Sequence, residues 1–399
     1  MSATGTATSA TQLDNFFAGV HAESREQMIA RERNTFDRLT SPFSDSIVLF
    51  GAGRLGKYIA TGLAQSGVRI RAFADNDPKM WGTDVLDFPV LKPEDAVREY
   101  AANSSFVVTI YHGSSARKQL QGLGCKVVVP FVPLCWKHGE TFIPESGLDY
   151  PHLIRDSEEK IRDCFRLLAD EASRTEFVEQ LRFRYWLDSE SMTPSKPAKQ
   201  TYFLVPAHKD EVFADCGALD GDSIRAFIEH SGGDFGHVIG FEPDPHSNKL
   251  LASYLASLPE PMQSHATAFP YAIGSRNEWV EFNVTSSAAS KMTTGGSAKV
   301  ECRKLDDVPW PKTPTYIKMD IEGAEPEALA GAGQLLASRL PVLAVCVYHR
   351  SQHLWEIPSQ IHSISNDYDI FLRRYAEDCW ELVCYAVPRE RSKKDGILH

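Results

Sequence analysis

Short apolar runs alternate with amphipathic helical stretches along most of the chain, in two blocks. The first block has strand-like runs at 47–50, 69–75, 106–110 and 126–129, and residues 85–90 carry a turn and a short strand. The second block has them at 212–216, 237–242, 265–273, 315–320, 341–348, 368–374 and 381–387. Helical periodicity fills the gaps at 57–66, 222–230, 246–257, 325–337 and 354–364. This alternation predicts an α/β protein with two doubly wound, mostly parallel sheets of Rossmann-like type.

The remaining segments predict the domain boundaries. Residues 12–39 have a helical pattern, and residues 157–188 predict one long amphipathic helix or a broken pair that packs between the two α/β units. The last two strands, joined at Glu377 and Asp378, predict a closing hairpin. We therefore expect four parts: an N-terminal helical segment (1–40), a Rossmann-like nucleotide-binding-type domain (41–136), a helical connector and linker (137–200) and a second Rossmann-like domain (201–399).

The segment from Val212 to Ser223 holds the strongest candidate ligand site. An apolar strand runs into Gly217, Ala218 and Gly221 and then into an acidic helix start, and the next strand ends on Glu242. Small residues let a ligand approach the backbone, and a carboxylate at that position accepts hydrogen bonds from ribose hydroxyls. The acidic residues of the same loop would repel a diphosphate, so a cationic nucleoside such as S-adenosylmethionine fits better than NAD.

A third segment makes the prediction specific. Thr315 to Glu325 (TYIKMDIEGAE) is a strand that ends in carboxylates and opens a helix, and 341–349 is another buried-type strand that ends on Tyr348 and His349. In this order the three segments resemble the FkbM-type family of S-adenosylmethionine-dependent methyltransferases, over roughly residues 200–390. The resemblance implies a class I methyltransferase sheet with an antiparallel final strand. It also implies O-methylation of a small-molecule acceptor, a hydroxyl of a sugar or a polyketide-like metabolite.

The resemblance also implies roles for individual residues. The amino-acid tail of the cofactor would contact the turn after the first strand and the start of the following helix. The ribose would contact Glu242, and the adenine would contact the end of the third strand. The implied cofactor-binding residues are Asp215, Gly217, Ala218, Gly221, Asp222, Ser223, Glu242, Ala272 and Ile273. The bland alternative for 215–223 is a tight turn with Asp222 and Ser223 as an ordinary helix cap, which leaves the glycines and Glu242 unexplained.

The candidate catalytic residues follow from the chemistry of transfer to a hydroxyl, which a general base assists. Asp320, at the tip of the fourth strand, is the first candidate, and His349, at the tip of the fifth, is the alternative. Glu322 and Glu325 are candidate substrate-binding residues, although carboxylates that open a helix are also stabilised by its dipole. Asp320, Glu322 and His349 could together hold a divalent ion, but neighbouring carboxylates need not converge, and we expect no metal.

The N-terminal block contains a second motif. Gly51, Gly53 and Gly56 lie between a strand and a helix, and Asp75 ends the next strand, which matches a dinucleotide-binding fingerprint. Residues 73–79 with 88–90 also resemble the Rossmann-like domains appended to sugar-modifying transferases. Nucleotide binding here stays open. The competing hypotheses for the whole chain are an NAD(P)-dependent oxidoreductase that uses this motif, and a non-catalytic scaffold.

Composition and charge limit the possible partners and the cellular location. A formal charge of −11 over 399 residues argues against nucleic acid and against anionic lipid as partners. The eight cysteines form no CxxC pair and have no zinc-type spacing, so we expect reduced thiols in a cytoplasmic protein. We expect no signal peptide and no membrane span. The sequence leaves a homo-oligomer open, and its Ser/Thr/Gly-rich insert 285–298 is a candidate substrate lid.

Overall fold

The computed structural model describes residues 8–144, 147–283, 291–292, 296 and 298–397. The helices are α1 Ser9–His21, α2 Arg25–Thr40, α3 Arg54–Gly62, α4 Pro93–Tyr100, α5 Ser114–Gly122, α6 Val132–Lys137, α7 Gly139–Phe142, α8 His152–Asp156, α9 Glu158–Leu167, α10 Glu171–Trp186, α11 Asp222–His230, α12 Pro245–Ala256, α13 Glu325–Ala330, α14 Gly333–Arg339, α15 His353–Ile364 and α16 Arg389–Lys394.

The strands belong to three sheets. They are β1 Ser46–Phe50, β2 Arg69–Ala74, β3 Asp84–Val85, β4 Phe88–Leu91, β5 Ser105–Val108, β6 Val128–Pro130, β7 Val212–Cys216, β8 His237–Phe241, β9 Ala266–Phe269, β10 Tyr271–Ile273, β11 Glu278–Asn283, β12 Lys291–Met292, β13 Ala298–Arg303, β14 Tyr316–Met319, β15 Val342–Cys346, β16 Tyr368–Arg374 and β17 Leu382–Pro388.

The N-terminal sheet has six strands in the order β3-β4-β2-β1-β5-β6. All neighbours run parallel except β3 and β4. All five residues of β1 are buried, as expected for a central strand covered by helices on both faces. The first predicted α/β unit is therefore a doubly wound sheet.

The C-terminal sheet has seven strands in the order β16-β17-β15-β14-β7-β8-β9. The pairs from β15 to β9 are parallel, whereas β17 runs antiparallel to both of its neighbours. β16 and β17 form the predicted closing hairpin. The predicted fold class is confirmed, including the antiparallel final strand. In such a sheet, ligands bind beyond the carboxyl ends of the parallel strands, where the strand order reverses between β7 and β14.

Two predicted elements are divided in the structure. The single strand predicted at 265–273 is β9 and β10, which separate at Pro270, because proline has no N–H for a ladder. β10 joins a small sheet in the order β10-β13-β11-β12. The helix predicted at 325–337 is α13 and α14. Most of the candidate lid at 285–298 lies outside the described residues.

The helix α10 connects the two sheets through its packing. Phe177 and Leu181 belong to the core that covers the seven-stranded sheet, and Phe183 belongs to the core of the N-terminal sheet. Trp380, in the β16–β17 hairpin, also belongs to the N-terminal core, where its ring centroid lies 4.6 Å from that of Tyr111. The two sheets thus share packing, and the four domain boundaries stay predictions.

Two whole-chain expectations concern cysteines and membranes. All eight cysteines are free and buried. Among the described residues, no helix combines the length and the apolar character needed to cross a bilayer.

Candidate functional site

A cavity of 360 Å³ lies beyond the carboxyl ends of β7, β8 and β14. It is lined by Thr201, Tyr202, Gly217, Leu219, Asp222, Ser223, Phe241, Glu242, Pro243, Tyr271, Ala272, Ile273, Phe282, Lys318, Asp320, Ile321, Glu322, Tyr348 and Glu381. Of the predicted cofactor residues, Gly217, Asp222, Ser223, Glu242, Ala272 and Ile273 line the cavity. Of the predicted catalytic and substrate residues, Asp320 and Glu322 line it.

The turn after β7 depends on glycine for packing as well as for ligand access. Gly217 has φ +82°, and a Cβ there would lie 2.0 Å from the carbonyl oxygen of Asp320. Gly221 has φ +89°, and its Cβ would lie 2.7 Å from the ring of Tyr254. Neither position tolerates a side chain. Gly221 and Ala218 do not line the cavity, so they shape the turn from behind.

Asp215 does not reach the cavity. It is fully buried in β7, and its Oδ1 lies 2.8 Å from Nζ of Lys318 in the neighbouring β14. The same ammonium group donates to the carbonyl oxygen of Gly217 at 2.9 Å. Burial opposes the charge of Lys318, but Asp215 and Asp320 outweigh it and hold the Lys318 pKa above its ordinary value. Asp215 therefore organises the turn through Lys318.

Glu242 occupies the position expected for a ribose partner. Its carboxylate accepts from the backbone N–H of Leu219 at 2.9 Å and of Asp244 at 2.8 Å, which pins it between the β7 turn and the end of β8. Burial raises the pKa of Glu242 to about 7 despite these two hydrogen bonds. Tyr271 lies on the same side of the cavity, where it stacks on Phe269 with ring centroids 5.4 Å apart.

Asp320 accepts hydrogen bonds from two phenols and lies beside a histidine. Tyr202 donates to Oδ2 at 2.8 Å and Tyr348 to Oδ1 at 3.3 Å. Nε2 of His349 also lies 3.3 Å from Oδ1. Burial would raise the pKa of Asp320, but Lys318, His349 and Tyr202 outweigh burial and hold it below its ordinary value. A carboxylate with so many donors and a lowered pKa is a weak base.

His349 lies behind Asp320 and outside the cavity lining. Its Nδ1 lies 2.8 Å from Oε1 of Glu325, whose other oxygen lies 3.4 Å from His353. Burial opposes protonation, but Glu325 and Asp320 outweigh it and raise the pKa of His349 to about 9. The imidazole is therefore charged near neutral pH and cannot accept a proton. Glu325 is fully buried and contacts His349 and the backbone of Ile321, so it does not face a substrate in the cavity.

One group of described residues could hold a metal ion. Asp320, Glu325 and His349 offer ligand atoms that all lie within 4.8 Å of one another. Metal binding would have to displace the proton of His349 and separate its ion pair with Glu325. Glu322, which the sequence suggested as a ligand, is not in this group.

Eleven lining residues were absent from the predicted set, among them Tyr202, Tyr271, Lys318, Tyr348 and Glu381. Lys318 carried a usable signal, because a lysine inside an apolar strand needs a buried anion. Tyr348 directly precedes the predicted His349. Tyr202 and Glu381 carried no such signal in the sequence, because Tyr202 lies in a loop before β7 and Glu381 in the terminal hairpin, far from the strand-tip motifs.

The N-terminal glycine motif has a different environment. A Cβ at Gly56 would lie 1.9 Å from the carbonyl oxygen of Gly51, whereas a Cβ at Gly53 would meet no atom within 4 Å. Asp75 accepts from the N–H of Ala52 at 2.7 Å and of Asp77 at 2.8 Å. The acid thus caps the turn as Glu242 does in the other sheet. None of the lining residues of the 360 Å³ cavity comes from this motif.

The seven-stranded sheet and the cavity at its strand tips have the layout of a Rossmann-like methyltransferase fold. Residues 215–377 match the sequence model of the family described as the methyltransferase FkbM domain. The resemblance recognised from the sequence is confirmed over these residues. The oxidoreductase alternative gains no support from the comparisons.

A solved structure that covers nearly the whole chain supports the fold. The crystal structure of a methyltransferase FkbM from Methylobacillus flagellatus KT matches with a TM-score of 0.75 and 23% identity, over 95% of this chain and 100% of that chain. A putative rRNA methylase from Clostridium thermocellum matches with a TM-score of 0.33 and 10% identity, over 49% of this chain and 97% of that chain. The Geobacter metallireducens GS-15 precorrin-6y C5,15-methyltransferase matches with a TM-score of 0.30 and 13% identity, over 50% of this chain and 93% of that chain. Comparison with curated proteins gave no match.

Proposed function

We propose that this protein transfers a methyl group from S-adenosylmethionine to a hydroxyl of a small molecule, a sugar or a polyketide-like metabolite. The observation that carries the proposal is the position of Glu242. It lies at the tip of β8, lines the cavity and is fixed by two backbone N–H groups beside the Gly217 turn of an FkbM domain. A carboxylate there can accept both ribose hydroxyls of the nucleoside.

The other lining residues suit the rest of the cofactor. Asp222 and Ser223, at the start of α11, would hold the amino-acid tail. Ala272, Ile273 and Tyr271 give an apolar and aromatic surface for the adenine. Asp320 would face the sulfonium cation as a permanent anion. When bound, the cofactor supplies an electrophilic methyl group, and the chain aligns the acceptor with it and excludes water.

The acceptor side is rich in carboxylates and phenols. Asp320, Glu322, Glu381, Tyr202 and Tyr348 offer acceptors and donors to a polyhydroxylated molecule, and they disfavour an acceptor that carries phosphate. We infer a small-molecule acceptor and neither nucleic acid nor a membrane surface. A cytoplasmic location with reduced cysteines fits the eight free, buried thiols.

The first test is calorimetric titration with S-adenosylhomocysteine. We expect binding by the unchanged protein. Glu242→Ala should weaken it by about 1–3 kcal/mol, as expected for loss of charge-assisted hydrogen bonds, while Glu242→Gln should retain part of the affinity. Because the pKa of Glu242 is raised to about 7, affinity should rise with pH through neutrality in the unchanged protein and stay flat in Glu242→Gln.

A matched titration with NAD(P)H distinguishes the proposed methyltransferase from the alternative, an NAD(P)-dependent oxidoreductase. Nicotinamide binding that Gly53→Val abolishes, without any binding of S-adenosylhomocysteine, would contradict the proposal. If the homocysteine compound binds, the next step is a screen of sugars and polyketide-like alcohols with labelled S-adenosylmethionine, in which the product gains one methyl group on oxygen.

A further inference from the structure

The acceptor side of the cavity contains three carboxylates in different states. Asp320 is held by Tyr202, Tyr348 and His349. Glu322 and Glu381 also line the cavity, and among the described residues neither side chain has a hydrogen-bond or ion-pair partner. A carboxylate that faces a cavity without a partner is free to accept a proton from a bound molecule.

The backbone around the cavity is unusual in the same places. Among the described residues, nine non-glycine residues have positive φ, and four of them line this cavity: Tyr202 (+73°), Leu219 (+46°), Glu322 (+55°) and Glu381 (+50°). A left-handed backbone at such residues costs free energy and persists where the surrounding packing imposes it. Two of the four are the unpartnered carboxylates, so their side chains are aimed at the cavity by strained backbone.

Glu381 has firmer support than Glu322. Its neighbour Trp380 is packed in the core of the N-terminal sheet. The carbonyl oxygen of Glu381 accepts a hydrogen bond from the N–H of Tyr375 at 3.0 Å across the hairpin. Glu322 instead lies in the loop that connects β14 to α13. The anchored hairpin therefore holds Glu381 in place, as proton transfer in a defined geometry requires.

We propose that Glu381 is the general base of methyl transfer. The proposal rests on the function proposed above. The acceptor oxygen forms a bond with the methyl carbon, the carbon–sulfur bond breaks, and its electron pair stays on the sulfur as a neutral thioether. The acceptor O–H bond releases its proton to the Glu381 carboxylate. The products are the methyl ether, S-adenosylhomocysteine and a protonated Glu381, which returns the proton to water when the product leaves.

This assignment separates the roles of the two neighbouring carboxylates. Asp320 stays ionised, because its donors lower its pKa, and it is a positioning residue for Tyr202 and Tyr348. Burial, reinforced by the charge of Asp320, raises the pKa of Glu381 to about 7, which is in the range where a base is effective at neutral pH. The titratable and charged groups that act on Glu381 come from several elements around the cavity: Tyr202, Asp222, Lys318, Asp320, Cys346, Tyr348 and His349.

A binding experiment tests the assignment without an acceptor. S-adenosylmethionine has a permanent positive charge at the reacting sulfur, and S-adenosylhomocysteine does not. The ratio of their affinities therefore reports the charge next to the methyl group. Glu242 also titrates near neutral pH, but it faces the ribose that both ligands share, so its effect cancels in the ratio. We expect the preference for S-adenosylmethionine to rise by about tenfold between about pH 5.5 and 8 as Glu381 ionises.

The variants identify the group that titrates. Glu381→Gln should bind S-adenosylhomocysteine normally, which shows that it folds, and should lose the pH-dependent rise. Asp378→Asn is the matched control, since this residue is in the same hairpin, also has positive φ (+57°) and does not line the cavity; it should keep the rise. With an acceptor from the screen, Glu381→Gln should lower kcat by about a hundredfold or more and remove the acidic limb of the rate profile.

The contrary outcomes are distinct. If the unchanged protein binds S-adenosylhomocysteine but the ratio is independent of pH, or Glu381→Gln keeps the rise, Glu381 is not the base. A rise that disappears in Glu322→Gln instead assigns the proton transfer to Glu322 and overturns the proposal. Absence of any S-adenosylhomocysteine binding would remove the proposed function itself, and the assignment with it.

Discussion

At the scale of single residues, the site is a set of charges that neutralise one another in pairs. Lys318 lies 2.8 Å from Asp215, and His349 lies between Glu325 at 2.8 Å and Asp320 at 3.3 Å. These buried pairs hold the strand tips together beneath the cavity. The carboxylates left without such partners, Glu322 and Glu381, are on the cavity side.

The pairing of His349 predicts a pH-dependent stability. Its pKa is raised to about 9 in the folded chain against an ordinary 6.5. The stabilisation is therefore complete below about pH 6.5 and is lost as pH rises through about 9. His349→Gln should lower the free energy of unfolding by about 3–5 kcal/mol near pH 6.5, because Glu325 keeps a buried charge without its cation. Urea denaturation between about pH 6.5 and 10 measures both the loss and the slope.

His246→Gln is the control, because His246 is exposed. It should unfold like the unchanged protein at each pH. A His349→Gln variant with the stability of the unchanged protein near pH 6.5 would show that the imidazole is not charged in the folded state.

Sequence reasoning located part of this residue set. Glu242 and Asp320 were predicted because they end apolar strands, and both line the cavity. Asp215 was predicted from the family resemblance, but its side chain is buried against Lys318. The pattern of a strand does not reveal whether its acidic residue finds a cation on the next strand. Glu381 was not predicted, because only the folded hairpin brings it to the cavity.

At the scale of elements, a glycine near the start of the helix-forming segment lets the backbone pack closely in both sheets. Gly217 in the C-terminal sheet and Gly56 in the N-terminal sheet each leave room for a carbonyl oxygen, at 2.0 and 1.9 Å from the position of a Cβ. In each sheet an acid at the tip of the second strand, Glu242 or Asp75, caps the turn. The element types were predictable from periodicity. The break at Pro270 was not anticipated, although proline interrupts a ladder.

This packing gives a prediction for the N-terminal motif. Gly56→Ala should lower the free energy of unfolding by about 2–3 kcal/mol, since the methyl group would overlap a backbone oxygen that cannot easily move. Gly53→Ala should change it by less than about 0.5 kcal/mol, because the site of its Cβ is open. Thermal and urea unfolding of both variants measure the difference. Equal destabilisation would contradict the view that Gly56 is a packing glycine.

At the scale of the whole molecule, α10 and the terminal hairpin connect the two sheets. Arg374, at the end of β16, is buried and donates to Glu176 of α10 at 2.9 Å and to the carbonyl oxygens of Thr193 and Ala376. The sequence predicted a helix between the two units but not its partners, because a contact over 198 positions leaves no periodic trace.

We expect Arg374→Ala to lower the free energy of unfolding by about 3–5 kcal/mol, because it leaves the buried Glu176 without its cation. Arg389→Ala is the matched control: that arginine is half exposed and lies 3.7 Å from Asp369, so its loss should cost less than about 1 kcal/mol. Tryptophan fluorescence and far-ultraviolet circular dichroism during urea unfolding measure both. If the two variants unfold alike, the buried pair does not stabilise the packing of α10 against β16.

The anchoring of Trp380 in the N-terminal core bears on how this catalyst could be shortened or recombined. Residues 201–399 contain the strand tips that would hold the nucleoside, and Glu381, which lines the cavity, directly follows Trp380, which packs in the core of the N-terminal sheet. We therefore expect an excised C-terminal fragment to keep the residues at the strand tips and to hold Glu381 less rigidly. If the proposed function holds, we expect the smallest unit competent for turnover to be larger than residues 215–377, which match the family model. We also expect an exchanged N-terminal half to change the acceptor preference.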